Sequence, residues 1–145
     1  MRGVTGWGPP RVSIEAEIAR RGLAGVVRGC RELLGGSDSD FGLIVALAGP
    51  GPASPFAPGM PPRSDTYWLR VWAARGLLWA YDASADQDIV TALRDEHWRV
   101  REMALKVVAR HTIDEGLEEA ARLQSDSVPR VAAAAHRAVR ALTSP

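Results

Sequence analysis

The chain has 145 residues, and its 18 Arg and Lys against 17 Asp and Glu give a formal net charge of +1. This length suits one domain with a usable core, and the balanced charge creates no global field that would demand a nucleic acid or a membrane as partner. A single cysteine cannot form an internal disulfide, which suits a reducing compartment, so we predict a cytoplasmic protein. The longest apolar run, residues 43–48, is too short to span a bilayer, and no membrane partner is expected.

The first third of the chain is predicted to be helical after a flexible tail. Glycine and proline dominate residues 1–12, which favours the tail, and Ser13 can cap a first short helix. Between residues 23 and 34 the apolar side chains recur at the i, i+3, i+4, i+7 spacing of an amphipathic helix. Cys30 lies on that apolar stripe and is interpreted as a core residue rather than a nucleophile. Residues 41–48 follow as a short buried helix, with a strand as the open alternative.

Residues 49–63 are predicted to form a proline- and glycine-rich loop. Prolines recur from Pro50 to Pro62, and proline can neither continue a helix nor donate freely to a sheet. Structureless loops of this length tend to be lids, binding segments or disordered insertions. Phe56 and Met60 are the apolar side chains that such a loop could dock or present. The sequence leaves a disordered insertion and a binding loop both open.

Three copies of one nine-residue pattern follow this segment. The stretch 69–77 returns as 100–108 and again as 131–139, at the spacing of about one helical hairpin. Alanine occupies the same place in each copy, and a small residue there lets adjacent helices approach closely. A basic residue also recurs in register. The two in-register sets are Ala73, Ala104 and Ala135, and Arg75, Lys106 and Arg137.

Capping patterns divide this repeated region into alternating first and second helices. Ser64 or Asp65 is predicted to cap the helix that carries the first copy. Two capping boxes and two aspartates mark the later boundaries, and Pro129 is tolerated in the first turn of the last helix. The predicted boundary residues are Ser84 with Gln87, Asp95, Thr112 with Glu115, and Asp126.

The repeats resemble the HEAT-repeat family in the short form found in bacterial proteins. The resemblance rests on Leu93-x-Asp95 before residues 98–104 and on Leu123-x-x-Asp126 before residues 130–135. It implies an all-α fold, a short right-handed α-solenoid of stacked antiparallel helix pairs, with one domain over residues 13–142. In that family a turn aspartate and an arginine early in the second helix bond across neighbouring repeats as a ladder. Carried over, the ladder residues are Asp95, Arg101 and Asp126, and Ala132 in place of an arginine leaves the last repeat incomplete.

No catalytic, cofactor or metal site is predicted. The three histidines, His97, His111 and His136, are not spaced with further ligands as a closed metal site requires. No glycine-rich phosphate loop is present, because the glycine-rich stretches lack the strand and lysine context. Neighbouring acids in the predicted first helices are interpreted as solvated faces.

Charge is segregated between the two kinds of helix. The resemblance implies that second helices line the concave surface, so their basic residues would form an arginine-bearing groove. The alternative is a self-paired solvated face, with Glu102 to Lys106 and Asp95 to Arg99 as i, i+4 pairs. The basic residues of the second helices are Arg70, Arg75, Arg99, Arg101, Lys106, Arg110, Arg130, Arg137 and Arg140, and the acids of the first helices are Asp86, Asp88, Asp114, Glu115, Glu118 and Glu119.

These features predict a non-enzymatic scaffold that binds another protein through the basic second-helix face. The alternative is nucleic-acid binding, resembling the HEAT-like DNA glycosylases, which contain more repeats than this chain can hold. Trp79 and Trp98 are the tryptophans expected near the surface, where an aromatic ring beside arginine could anchor a peptide or stack a base. The predicted partner-binding residues are Arg70, Arg75, Lys106, Arg137, Trp79 and Trp98.

Overall fold

A computed structural model of the protein describes residues 10–145, and within that range the chain is helical and contains no strand. The all-α prediction is confirmed, and residues 43–45 are helical rather than extended. Three further short segments form 3-10 turns at 54–56, 83–85 and 114–116. The α-helices are α1 (Pro10–Arg21), α2 (Leu23–Leu34), α3 (Phe41–Ala48), α4 (Pro50–Ala53), α5 (Tyr67–Gly76), α6 (Asp86–Ala92), α7 (Trp98–His111), α8 (Leu117–Leu123) and α9 (Pro129–Thr143).

The chain divides into two compact units, Met1–Tyr81 and Asp82–Pro145, where the sequence predicted one domain over 13–142. In the first unit α2 packs on α5, and α3 packs on both α1 and α5. Gly76 lies at the centre of this packing, because a Cβ added there would come within 2.5 Å of the Leu47 side chain. Cys30 is fully buried next to Gly76, and burial raises the pKa of its thiol to about 12. Its predicted place in the core is confirmed.

The first helix begins earlier than the sequence predicted. Pro10 opens α1, so residues 10–12 belong to a helix rather than to a tail, and Ser13 lies inside the first turn instead of capping it. Proline suits the first turn because its missing N–H would have no intrahelical partner there. The other residues of the predicted tail, 1–9, lie outside the described residues.

The proline-rich segment is helical over its first half, so the prediction of a loop is wrong for residues 50–56. Pro50 stands at the start of α4, where its fixed φ suits a helix, and Gly49 adopts a φ of 92° just before it. Ala53 is fully buried, and the Phe56 ring meets the Trp72 ring edge-on at 5.6 Å. Only the remainder of the segment is irregular, and Met60 is exposed there.

The second unit consists of two helical pairs, α6 with α7 and α8 with α9. Helix α7 also packs on α9, which places the two longer helices side by side. Ala104 and Ala135 are fully buried, as is Ala73 in the first unit, in agreement with the predicted role of the in-register alanines. Gly116 permits another close approach, since a Cβ there would lie 3.1 Å from Val108.

The helix boundaries use caps other than those predicted. Helix α7 is capped by His97, whose Nδ1 accepts from the Arg99 amide at 3.2 Å, while Asp95 accepts from the His97 amide. Asp82 rather than Ser84 caps the turn before α6, and Thr112 ends α7 in the left-handed region with a φ of 48°. At these two boundaries the observed cap lies within two positions of the predicted one. Thr66 at α5 and Val128 at α9 make no side-chain capping bond, whereas Asp40 caps α3 by accepting from the Leu43 amide at 3.0 Å.

Candidate functional site

The outward surfaces of α7 and α9 carry most of the cations of the second unit. Residues seven apart lie about two turns apart on the same stripe of a helix, so the basic residues of each helix form one row. The two rows stand in register, since Arg99 and Lys106 recur as Arg130 and Arg137. We call these rows the basic face. Its cationic members are Arg99, Lys106 and Arg110 on α7, and Arg130, Arg137 and Arg140 on α9.

Charge is strongly polarised within this unit. Residues 82–145 contain nine Arg and Lys against eleven Asp and Glu, a net charge of −2. Helices α7 and α9 hold seven of the cations and a single acid, Glu102. The other residues of the unit hold two cations and ten acids. In this unit the two second helices, α7 and α9, are therefore basic and the other residues are acidic, which agrees with the predicted segregation of charge.

The first turns of α7 and α9 contain charges that are already satisfied. Glu102 is buried and accepts from Arg130 through Nε at 3.0 Å and Nη2 at 3.2 Å. The guanidinium carbons of Arg99 and Arg130 lie 4.5 and 5.1 Å from the centre of the Trp98 ring. Such stacked guanidinium groups gain a cation–π attraction of about 0.5–1 kcal/mol at exposed sites. The half-buried Trp98 therefore already has cationic partners within the protein.

Arg101 lies in the same turn and bonds to the next helical pair. Its Nε donates to Asp126 Oδ2 at 3.0 Å, and its Nη1 donates to the carbonyl oxygens of Asp95 and Glu96 at 2.9 and 3.1 Å. Burial raises the pKa of Asp126, but the bonds from the Val128 amide and Arg101 outweigh it and hold that pKa below its usual value. The Asp95 carboxylate bonds the His97 amide, so Asp95 meets Arg101 through its backbone. Together with Trp98, Arg99, Glu102 and Arg130, Arg101 forms what we call the paired end.

The last turns of α7 and α9 present cations to solvent. Four basic side chains are exposed there, and the one ion pair that any of them makes within residues 10–145 is Lys106 to Glu102 at 4.0 Å. Two of the four stand in the final turn of their helices, where the partial negative charge of the helix end favours a cation. We call this set the open end, and its members are Lys106, Arg110, Arg137 and Arg140.

Lys106 and Arg137 are the only predicted partner-binding cations that the structure places on this open surface. Arg75 was predicted to face outward, but its Nη2 donates to the Leu47 carbonyl at 2.7 Å and its Nε is buried without a partner. Desolvation lowers the pKa of Arg75 below its usual value. The apolar residues that surround α5 on nearly all sides explain this difference, because they leave no polar stripe for Arg75 to occupy.

The other predicted residues of the first unit are half-buried. Arg70 borders a small cavity of about 130 Å³ together with Asp38 and Thr66. Trp79 lies in the turn that follows α5, and neither residue is fully exposed as a groove residue would be. The structure thus does not present Arg70 or Trp79 as open contact groups.

A wider surface cavity of about 520 Å³ is lined by the proline-rich segment of the first unit. Its basic residue, Arg63, donates to both oxygens of Asp65, at 2.7 and 2.9 Å, and also lies over the Phe56 ring. The cation is thereby satisfied within the segment, and the cavity does not assemble a set of convergent open polar groups.

The basic residues of α7 and α9 could be identified from the sequence, but their division into a paired end and an open end could not. Arg110 and Arg140 belong to the open end, and their spacing of four from Lys106 and three from Arg137 was the available signal. Glu102 was expected to pair with Lys106, four residues away, and its bidentate bond to Arg130 was missed. A contact across 28 positions in the chain leaves no periodic trace in a single sequence.

The described residues show neither a metal-binding cluster nor a membrane span. No group of three or more His, Cys, Asp or Glu side chains in this part of the chain is arranged to hold a metal ion. None of the helices within it combines the length and apolar character needed to cross a bilayer. Comparisons with protein-family models, with curated proteins and with solved structures found no match for this chain.

Proposed function

We propose that this protein is a non-enzymatic interaction module that binds an acidic segment of another protein through the open end of α7 and α9. The observation that carries the proposal is the group of four exposed cations on two packed helices, three of them without an ion pair in residues 10–145. A partner can bind these three cations without breaking an ion pair within the protein. A complementary acidic surface would gain specificity and a faster encounter from them.

The dimensions of the open end suit a short peptide segment. Four residues of helix span about 6 Å, and packed helices lie about 8–10 Å apart. The two pairs, Lys106 with Arg110 and Arg137 with Arg140, therefore cover a patch that a few carboxylates of one helix or strand can reach. The half-buried Met103 lies on α7 about one turn before Lys106 and offers an apolar contact beside the open end.

Two observations favour an acidic protein over a nucleic acid. The net charge of the chain is only +1, so it lacks the strongly positive field that attracts the dense charge of a phosphate backbone. The Trp98 ring already has two guanidinium groups within about 5 Å, which limits its use as a platform for base stacking. Nucleic-acid binding accordingly becomes an alternative outcome of the binding experiment.

We also propose that the helical pairs stack as HEAT-like repeats and that the protein acts in the cytoplasm. The stacking is supported by the in-register copies and by the bond from Arg101 to Asp126, which joins the second helix of one pair to the turn of the next. The location is supported by the single cysteine, buried in the core as a thiol. With this stacking and this location, the open end remains the surface that contacts the partner.

A titration of a fluorescently labelled glutamate-rich peptide tests the binding proposal. We expect binding at about 0.05 M salt that weakens at about 0.5 M, because salt screens exposed charges. Arg137→Ala should weaken binding, whereas Arg28→Ala, which removes an equally exposed arginine from α2, should not. Absence of binding at low salt would contradict the proposal. Tighter, strongly salt-dependent binding of duplex or single-stranded DNA would replace it with the nucleic-acid alternative.

A further inference from the structure

Helix α8 and the 3-10 turn before it carry an exposed acidic patch. Asp114 and Glu115 lie in the 3-10 turn before α8, and Glu118 follows in the first turn of that helix. All three side chains are exposed, and none forms an ion pair within residues 10–145. By contrast, the nearby Glu119 is buried and bonds Arg94 and Arg122. The exposed three are therefore the acids of α8 and its turn that remain available to another molecule.

An exposed leucine stands in the middle of this patch. Leu117 is 38% exposed and is the one large hydrophobic residue of the second unit with that much exposure. It lies between Glu115 and Glu118 in the chain, so exposed acids both precede and follow it. An apolar centre with a charged rim is the usual composition of a protein contact. We call Leu117 with its three acids the acidic patch.

The acidic patch and the open end have complementary compositions. The acidic patch has Leu117 with three carboxylates, and the open end has four cations with Met103 one turn before Lys106. No ion pair joins the two sets, although Arg110 and Asp114 are only four positions apart in the chain. The side chains of both sets are exposed, so both remain available on a single molecule.

We propose that the protein associates with a second copy of itself, with the acidic patch of one copy on the open end of the next. The inference uses the same basic face as the proposed function and adds a specific occupant for it. Because the two surfaces are different, the contact is heterologous and propagates from copy to copy instead of closing as a two-fold dimer. Exposed charges dominate the contact, so the association must weaken as salt rises.

Sedimentation velocity of the full-length protein at low and high salt tests this proposal. At about 0.05 M salt we expect the sedimentation coefficient to increase with protein concentration, and at about 0.5 M we expect a monomer. Arg137→Glu should block the open end and Glu118→Arg should block the acidic patch, so each variant alone should be monomeric. Circular dichroism of both variants checks that they remain folded.

Mixing the two variants gives the decisive result. In an equimolar mixture the intact acidic patch of the Arg137→Glu variant can contact the intact open end of the Glu118→Arg variant, so association should return. Arg28→Glu, with the same charge change on α2, should associate as the unchanged protein does. A monomer at every concentration in low salt overturns the proposal, and so does a mixture that stays monomeric. These results leave the proposed function untouched, because peptide titration measures it separately.

Discussion

The two ends of α7 and α9 carry similar numbers of charged residues but use them differently. At the paired end, Arg101 and Arg130 are bonded to Asp126 and Glu102, and both carboxylates are largely buried. At the open end, the cations face solvent and the nearest carboxylate is 4.0 Å from one of them. A row of arginines is therefore not by itself a binding surface, because buried acids and the Trp98 ring already hold the cations at one end of it.

The largest effect is expected from Arg101→Ala. The substitution removes two bonds to Asp126 and leaves that mostly buried carboxylate with fewer partners. Loss of a hydrogen bond to a charged group costs about 1.5–3 kcal/mol, so we expect the free energy of unfolding to fall by about 2–3 kcal/mol. Urea denaturation measures the change. A loss below about 0.5 kcal/mol, the usual range for a surface substitution, would show that the bonds of Arg101 do not stabilise the fold.

The next effect is expected from Arg137→Glu at the open end. Reversing an exposed charge should weaken binding of the acidic peptide about tenfold, equivalent to about 1.4 kcal/mol, because repulsion replaces attraction. The free energy of unfolding should change by no more than about 0.5 kcal/mol, since Arg137 has no bond to lose in residues 10–145. Peptide titration and urea denaturation of the same variant separate these outcomes. A large loss of stability would contradict the distinction between the open end and the paired end.

A smaller effect of opposite sign is expected from Glu102→Gln. This change removes the one acid on α7 and α9 and frees the guanidinium of Arg130, which is already 61% exposed. We expect the acidic peptide to bind about threefold more tightly, which corresponds to about 0.6 kcal/mol. Because Glu102 is buried, the loss of its charge-assisted bonds from Arg130 should lower the free energy of unfolding by about 1.5 kcal/mol, the lower end of the range for a hydrogen bond to a charged group. Unchanged or weaker peptide affinity would show that Glu102 does not limit the basic face.

The smallest effect is a loss of stability in acid that originates in paired carboxylates. The pKa of Asp126 is lowered, since its bonds outweigh burial, and the pKa of Asp40 in the first unit is lowered chiefly by its bond from Arg21. The resulting stabilisation is present above the ordinary aspartate pKa of about 4 and is lost as pH falls through the lower folded values. Urea midpoints between pH 6 and 3 measure it. Arg101→Ala should reduce this pH dependence, whereas Arg137→Ala should leave it unchanged.

The helices and their core could be predicted from the sequence because the periodic spacing of apolar residues indicates which side chains are buried. The alanines of the repeat and Cys30 show this, since each lies on an apolar stripe and is fully buried. Caps were predicted less well, because Asp82 and His97, each two positions from the predicted residue, accept the capping bonds instead. Short-range polar patterns identify a helix boundary more reliably than they identify the residue that caps it.

The site could be predicted only to the level of a basic layer. Arg75 shares its register position with Lys106 and Arg137, yet it turns to the Leu47 carbonyl, 28 positions away in the chain. Arg130 likewise reaches Glu102 across 28 positions. These bonds depend on which helices pack together, and a residue's own helix does not carry that information. Which cations remain open is therefore a tertiary property.

The buried thiol makes this protein convenient for site-directed labelling. Thiolate is the reactive form of cysteine, and with a pKa of about 12 Cys30 supplies almost none at neutral pH. A maleimide or a disulfide reagent should leave the native protein unmodified and should react once after denaturation. A cysteine introduced at the exposed Ala133, which lies on α9 between Arg130 and Arg137, would then carry the only dye. Its fluorescence would report occupancy of the basic face without removal of the native cysteine.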